Sequence, residues 1–219
     1  MKEIPTQYRR PLTIPPLGAA YFVTIRLKDA LPHKVIRQLE TEFEQEKAQI
    51  LQDHSDQPES PIKEAIKRFF AKYDHQLDHH PRGARLLQHP DVCRTIKDQL
   101  YDMDGKYYDL QAHCIMPNHI HFLIDIFHYL DDEDYDPTKP EISKTYLNDT
   151  IEKLKARAAY YSNQALGRRG NFWQQGSYQH HIQDDAEWCN VVNYIMLNPV
   201  RAGLARTSAE YDHCYYKYG

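Results

Sequence analysis

The chain has 219 residues, of which 41% are hydrophobic and 26% charged. This is ordinary for a globular protein and suits one domain, with or without an insertion. No apolar run reaches the length of a membrane span and the N-terminus lacks the apolar core of a signal peptide, so we expect a cytoplasmic protein with no membrane partner. The four cysteines are scattered without a C-x-x-C pair, which argues against a thiolate zinc site or a disulfide framework.

The net charge of −4 taken alone argues against a nucleic-acid partner. The distribution of charge differs from the total, because residues 1–28 carry five basic side chains against one acid and residues 139–169 carry seven against three. Acidic residues concentrate elsewhere, notably in the run 131–136. Local patches decide phosphate binding, so the two basic segments are either phosphate-binding surfaces or ordinary solvated faces.

The first predicted elements are a strand and a pair of helices. Apolar residues alternate over 21–27, which predicts a strand. Apolar residues then recur at helical spacing over 33–52 and again over 62–77, and Pro61 is well placed to begin the second helix. We expect these two helices to form a hairpin inserted over residues 30–85.

The pattern of apolar residues in the rest of the chain predicts further strands and helices. In chain order these are a helix over 90–103, strands over 107–116 and 119–126, an acidic surface loop over 130–140, a basic helix over 142–166, a weak strand over 178–183, and a helix that begins near 184 and ends near 197, before Pro199. Apart from the insertion, the order strand, helix, strand, strand, helix, strand is the ferredoxin-like pattern. We therefore predict a single α+β domain over residues 1–219, a ferredoxin-like antiparallel sheet with helices on one face, plus the inserted helical hairpin.

Two histidines flank one apolar residue at the start of the strand over 119–126, in the run Met116-Pro117-Asn118-His119-Ile120-His121. Side chains alternate along a strand, so His119 and His121 project from the same face. Neutral imidazole is a common metal ligand, and two of them on one rigid face make a good base for a metal site. The alternatives are a polar surface pair and a buried pair satisfied by protein partners.

A second group of polar residues lies on the last predicted helix. Tyr194 and Asn198 are four residues apart and share a helical face. A tyrosine hydroxyl can act as a covalent nucleophile, and an asparagine oxygen is a suitable ligand for Mg²⁺ or Mn²⁺. Together with His119 and His121, Asn198 would give a mixed nitrogen and oxygen site with open positions for phosphate oxygens. The alternative is a tyrosine packed at a helix end and an asparagine that caps it.

Both motifs, in this order and on this pattern of elements, resemble a known family. They are similar to the REP-associated tyrosine transposase branch of the IS200-like single-tyrosine HUH transposases. The resemblance spans most of the chain and rests on the segments Tyr8-Arg9-Arg10, Tyr21-Phe22-Val23-Thr24, Met116 to His121, Lys155 to Asn163, Gly170 to Gln174, and Tyr194 to Val200.

The resemblance implies metal-dependent nicking and strand transfer of single-stranded DNA at hairpin, REP-like sequences. Tyr194 would form the 5′-phosphotyrosine intermediate. His119, His121 and Asn198 would bind a divalent ion, Mg²⁺ or Mn²⁺. Relatives in the family are often dimers, so a homodimer is among the assemblies that the resemblance implies.

The candidates for DNA contacts are mainly basic residues near these motifs. They are Tyr8, Arg9, Arg10, Lys153, Lys155, Arg157, Arg168, Arg169 and Arg201. Lysine and arginine contacts to phosphate would make the affinity depend on salt. Arg201 could instead complement the dipole at the helix C-terminus. Phe172 and Trp173 either stack on unpaired bases or pack in the core.

Other histidines carry weaker signals. His75 and His79 have a ligand spacing, but no nearby acid or thiol completes a catalytic set, so we do not expect a metal there. His180 and His181 lie near the proposed site in the sequence, and the sequence assigns them no role.

Two other functions fit the same pattern. The first is a non-catalytic, domesticated protein that binds hairpin DNA. The second is a metal-dependent phosphodiesterase that uses water as its nucleophile. The presence of both histidines, Tyr194 and Asn198 favours the transposase-like enzyme, because binding alone does not need this chemistry.

Overall fold

The computed structural model describes residues 19–53, 59–80, 84–130 and 140–219. The described residues fall into two compact units, one within Lys28–Arg85 and one formed by the rest of the described residues. The N-terminal candidates Tyr8, Arg9 and Arg10 lie outside the described residues, as does most of the predicted acidic loop. Among the described helices, none is long and apolar enough to cross a membrane.

The unit Lys28–Arg85 is built around two helices, α1 (His33–Asp53) and α2 (Glu59–His79). Phe43 and Phe69 form a seam between them, with ring centroids 4.8 Å apart. Pro61 lies in the first turn of α2, where its missing N–H costs no helical hydrogen bond. A helical pair was predicted in this region, and its status as an insertion within a larger domain stays a prediction.

The described part of the larger unit contains one antiparallel sheet and three α-helices. Its strands are β1 (Ala20–Arg26), β2 (Asp109–Ile115), β3 (His119–Asp125), β4 (Tyr178–His181) and β5 (Cys214–Tyr216), and its helices are α3 (Pro90–Met103), α4 (Pro140–Ala165) and α5 (Asp185–Arg201). The strand order is β4-β1-β3-β2-β5, and every pairing is antiparallel. The predicted α+β class and ferredoxin-like sheet are therefore confirmed, with β5 as an additional edge strand.

Helices cover both faces of this sheet. Tyr101 of α3 contacts His113 of β2, and α3 packs against α4, so this pair lies on the face that carries His113. Cys114, the next residue of β2, is paired with His121 and points to the opposite face. Helix α5 lies on that opposite face, because Tyr194 contacts His121. The α3–α4 pair is therefore on one face and α5 is on the other, which bears the histidine pair, whereas the sequence predicted helices on one face.

Two local expectations differ from the structure. Strand β5 is only three residues long, and the sequence pattern did not reveal it. Helix α5 continues through Pro199 to Arg201 instead of stopping before the proline. In the last turn, proline removes a single helical hydrogen bond. Backbone bonds from Ala202 N–H to the Asn198 carbonyl and from Leu204 N–H to the Pro199 carbonyl satisfy the end of the helix.

Candidate active site

A two-residue turn fixes the position of the first histidine. Pro117 and Asn118 join β2 to β3, and the Met116 N–H donates to the carbonyl of His119 at 2.9 Å. The carbonyl of Asn118 accepts from the N–H of Leu27 at 2.8 Å, which attaches the turn to the end of β1. The turn therefore makes His119 the first residue of β3, at the rim of the sheet.

The two histidine rings converge on one point. The Nε2 atoms of His119 and His121 lie 3.0 Å apart, and both side chains are fully buried. The opposite ring nitrogens have separate partners: Nδ1 of His119 is 2.7 Å from Oδ1 of Asn118, and Nδ1 of His121 is 2.8 Å from Oγ1 of Thr24. Both partners are oxygens that can accept an N–H bond, which would place the lone pair of each imidazole on its Nε2 atom.

This donor set fits a divalent metal ion. Two nitrogen ligands of one ion, each about 2.1 Å from it and at a right angle, are separated by about 3 Å. Ligating histidines usually donate their second N–H to an oxygen that fixes the ring orientation. Asn118 and Thr24 are placed to do this for His119 and His121.

Tyr194 projects from α5 toward the histidine pair. Its ring centroid is 5.5 Å from that of His121, at 70°. Phe22 of β1 contacts both residues, with its ring nearly parallel to His121 at 5.5 Å and edge-on to Tyr194 at 5.9 Å. Tyr194 is half-buried. The structure therefore brings together the two motifs that the sequence placed 73 residues apart.

Asn198 and Arg201 follow on the same helix. Asn198 is one turn beyond Tyr194 and only 1% exposed. Arg201 is exposed, and its guanidinium carbon lies 5.1 Å from the centre of the Tyr194 ring. A cation over the ring face is attracted to it and places a positive charge beside the tyrosine. The last turn of α5 thus presents an amide and a guanidinium near the candidate nucleophile.

A second tyrosine occupies the same face of the sheet. Tyr178 of β4 is paired with Thr24, and its ring contacts Phe22 at 6.0 Å. Burial, and after it the carboxylate of Glu187, raise the pKa of Tyr178 to about 12. Removing the proton from its hydroxyl therefore costs more than for an ordinary tyrosine, which makes Tyr178 a poorer nucleophile than its position suggests.

The structure assigns a partner to His180. Its Nε2 atom is 2.8 Å from Oε1 of Glu187 in the first turn of α5. The same carboxylate accepts the backbone N–H of Gln183, while Asp184 accepts the N–H of Glu187, each at 2.8 Å. This is a variant of the capping box in which the glutamate accepts from the residue before the N-cap, and its D-x-x-E pattern is present in the sequence. The D-x-x-E pattern is local, so it could have indicated the role of Glu187 from the sequence.

The basic candidates on α4 have different surroundings. Lys153 is exposed and lies over the Tyr107 ring at 4.1 Å. Arg157 is partly exposed and bonds to Gln99 and Asp102. Arg168 is half-buried and Arg169 is exposed, both in the turn after α4. These residues are on or beside a single helix, which is the surface that the charge pattern indicated.

Lys155 does not fit its predicted role as a DNA contact. It is 5% exposed, and its ammonium donates to Glu152 at 2.6 Å and to the carbonyl of Gly176 at 3.2 Å. A buried ammonium with two protein acceptors is not available to a phosphate. The helical pattern placed Lys155 among basic residues but could not show that the segment 170–176 covers it.

Phe172 and Trp173 belong to the core. They are 2% and 8% exposed, and the indole N–H of Trp173 donates to the carbonyl of Lys155 at 2.9 Å. Of the two alternatives for these residues, core packing is confirmed.

The histidines His75 and His79 lie in the other unit, on α2. Their rings stack with centroids 4.3 Å apart, and Nδ1 of His79 lies 2.9 Å from the His75 carbonyl. The His79 ring therefore makes a contact within its own helix.

Comparison with known proteins supports the resemblance. No protein-family model matches the chain. Over 106 residues, 48% of this chain, it is 26% identical to a protein of Haemophilus influenzae assigned as a REP-associated tyrosine transposase. The match spans 57% of that relative, so the chain covers little more than half of its length. A solved structure of a REP-associated tyrosine transposase bound to a REP hairpin aligns with a TM-score of 0.46 and 16% identity, covering 95% of this chain and 81% of that one. By its match to the Haemophilus influenzae relative, the chain is similar to a REP-associated tyrosine transposase, as its motifs predicted.

Proposed function

We propose that the protein is a transposase-type enzyme that nicks and rejoins single-stranded DNA beside a hairpin, through a covalent tyrosine intermediate. The observation that carries this proposal is the contact between Tyr194 and His121, whose Nε2 atom is directed at that of His119. The similarity to a protein assigned as a REP-associated tyrosine transposase supports the same activity and REP-like hairpin substrates.

His119 and His121 would hold a divalent metal ion, Mg²⁺ or Mn²⁺, with Asn198 as a third ligand. When bound, such an ion polarises the scissile phosphate and stabilises negative charge on its oxygens. The convergent Nε2 atoms and the oxygen partners of both Nδ1 atoms support this assignment. Asn198 is supported by its burial and by its place one turn beyond Tyr194.

The hydroxyl oxygen of Tyr194 attacks the phosphorus of the scissile phosphodiester. A bond forms between this oxygen and phosphorus, and the bond from phosphorus to the 3′-oxygen breaks. The tyrosine proton leaves with solvent and the departing 3′-oxygen gains one, so the products are a 5′-phosphotyrosine and a 3′-hydroxyl. The 3′-hydroxyl of a second strand reverses these steps, and the covalent bond conserves the energy of the cleaved linkage.

Nearby groups assist the tyrosine. The Arg201 guanidinium near the Tyr194 ring favours negative charge on the phenolic oxygen and attracts phosphate. Phe22 packs against both Tyr194 and His121 and restricts their rings to this arrangement. Holding nucleophile and ligand in one geometry removes much of the entropic part of the barrier.

The decisive experiment is a covalent adduct assay. Labelled single-stranded hairpins from repeats flanking the gene are incubated with the protein and Mn²⁺ or Mg²⁺, then resolved on a denaturing gel. We expect a protein–DNA adduct that is lost in Tyr194→Phe and retained in Tyr178→Phe, the matched tyrosine on the same face of the sheet.

The other outcomes separate the alternatives. Binding without adduct or cleavage in either metal would indicate a domesticated hairpin-binding protein. Cleavage that survives Tyr194→Phe would indicate a phosphodiesterase that uses water. An adduct that depends on Tyr178 instead of Tyr194 would move the nucleophile to β4 and reject the assignment.

The cytoplasmic location and the homodimer stay predictions of the sequence. Sedimentation of the purified chain, with and without hairpin DNA, tests the dimer. A single monomeric species under both conditions would reject it.

A further inference from the structure

Two adjacent tyrosines stand exposed near the C-terminal end of α4. Tyr160 is 64% exposed and Tyr161 is 44% exposed, and their rings meet edge to face with centroids 5.1 Å apart. Single exposed apolar residues are common on protein surfaces and need no explanation. A contiguous pair of exposed aromatic rings is a larger apolar surface and suggests a binding role.

The charge around this pair favours a polyanion. Of the five lysine and arginine residues in segment 153–183, Lys155 is paired with Glu152 and Arg157 with Asp102, and the other three are Lys153, Arg168 and Arg169. Arg168 and Arg169 belong to this segment and follow the tyrosines by about two helical turns. Arg168 and Arg169 therefore give the surface next to the tyrosines local positive charge, although the whole chain has a net charge of −4.

The local fold keeps the arginines beside the tyrosines. The turn after α4 has two glycines at positive φ, Gly167 at 59° and Gly170 at 103°. Asn163 fixes this turn from both sides, because its carbonyl accepts the N–H of Arg168 and its side-chain amide donates to the carbonyl of Gly170, each at 2.9 Å. The arginine-bearing turn is thus folded back toward the last turns of the helix.

The same turn leads to the rim of the sheet where the histidine pair begins. Trp173 forms an isolated bridge with Leu27, and Arg26 before it is paired with His119. Trp173 follows Arg169 closely in the chain, so their Cα atoms are at most about 14 Å apart. The basic turn is therefore within reach of single-stranded DNA that leaves the candidate active site at this rim.

We propose that Tyr160 and Tyr161 form a stacking platform for unpaired bases of the single-stranded DNA next to the hairpin, with Arg168 and Arg169 at its phosphates. This inference rests on the proposed function and extends its DNA-binding surface. Every base has a stacking face, so such a platform works without sequence readout. Bases inside a duplex are already stacked, which makes the single-stranded flank the better ligand. A second copy of this chain is disfavoured because symmetric pairing would bring two basic surfaces together.

Fluorescence anisotropy with two labelled DNAs tests the platform. One is the hairpin alone and the other is the same hairpin with a single-stranded tail. The double variant Tyr160→Ala/Tyr161→Ala should bind the tailed DNA roughly tenfold or more weakly than the wild type, since each stacked base contributes measurably. Its affinity for the hairpin alone should change little. The variant Tyr160→Phe/Tyr161→Phe keeps both rings and should keep the tail-dependent affinity, and Tyr218→Ala, a change at another exposed tyrosine, should bind like the wild type.

Unchanged affinity for the tailed DNA in the double alanine variant would overturn the platform. A change from dimer to monomer on sedimentation, with that affinity unchanged, would overturn it in favour of an interface between copies. The adduct assay on the wild type tests the proposed enzyme activity independently of the tyrosine platform. A wild type that uses the tyrosines for tail binding but forms no adduct would reject the enzyme and retain the binding site.

Discussion

The Nε2 atom of His180 lies 2.8 Å from a carboxylate oxygen of Glu187, and this contact joins the edge strand β4 to the first turn of α5. The other carboxylate oxygen accepts the backbone N–H of Gln183 at 2.8 Å. Tyr194 is two helical turns further along α5. The position of the candidate nucleophile thus depends in part on a carboxylate at the start of the same helix.

Glu187→Ala should destabilise the protein by about 1–3 kcal/mol, because it removes the acceptor of two hydrogen bonds, a part-buried one from His180 and an exposed one from Gln183. It should also slow adduct formation, since the start of the helix that holds Tyr194 is loosened. Urea unfolding and the adduct assay measure the two effects. Glu64→Ala, at an exposed carboxylate paired with Lys67, should change stability by less than about 0.5 kcal/mol. Equal effects of the two changes would contradict the proposed link.

Thr24→Val should weaken Mn²⁺ binding about 10- to 100-fold while both histidines remain. The change keeps the shape of the side chain but removes the hydroxyl 2.8 Å from Nδ1 of His121, which holds that ring in position. Isothermal titration calorimetry with Mn²⁺ alone measures this without DNA. Thr150→Val, at another buried threonine, is the matched control. Wild-type affinity in Thr24→Val would show that this hydrogen bond does not orient the ligand.

Arg169→Ala should reduce the slope of log affinity against log salt by about 0.7, which is one phosphate contact on single-stranded DNA. Lys155→Met should leave that slope unchanged, because the Lys155 ammonium is buried against Glu152 and the Gly176 carbonyl. Anisotropy titrations from low to moderate salt give both slopes. A smaller slope in Lys155→Met would mean that its ammonium reaches phosphate after all.

His113 should make the stability of the protein fall in mild acid. Burial, and after it the charge of Lys97, lower the pKa of His113 to about 3, whereas an unfolded histidine titrates near 6.5. Between these values the unfolded state binds more protons than the folded state. The contribution of neutral His113 is therefore complete above pH 6.5 and declines below it, by on the order of 1 kcal/mol per pH unit.

His113→Phe keeps a ring against Tyr215 and removes the titrating group. Urea unfolding at pH 6.5, 5.5 and 4.5 should show a shallower decline for this variant than for the wild type. Parallel declines would assign the acid sensitivity to other groups.

Much of the fold could be predicted because its signals are local. Among the described residues, four of the five strands and all five α-helices were predicted, with ends within a few residues, since alternation and helical spacing depend on neighbouring residues. The two features that were not predicted, strand β5 and the last turn of α5, have physical causes. Strand β5 is too short to show a period, and Pro199 sits in a last turn that other backbone bonds complete.

The sequence alone determined which side chains share a face, and the tertiary structure decided what each face meets. Strand alternation places His119 and His121 together, and helical spacing places Asn198 with Tyr194, whatever the rest of the chain does. The contact of Tyr194 with His121, the partner of His180 and the burial of Lys155 depend on how α5, β4 and the segment after α4 pack on the sheet. Those choices come from many weak contacts summed between distant parts of the chain, and such sums leave no periodic pattern in the sequence.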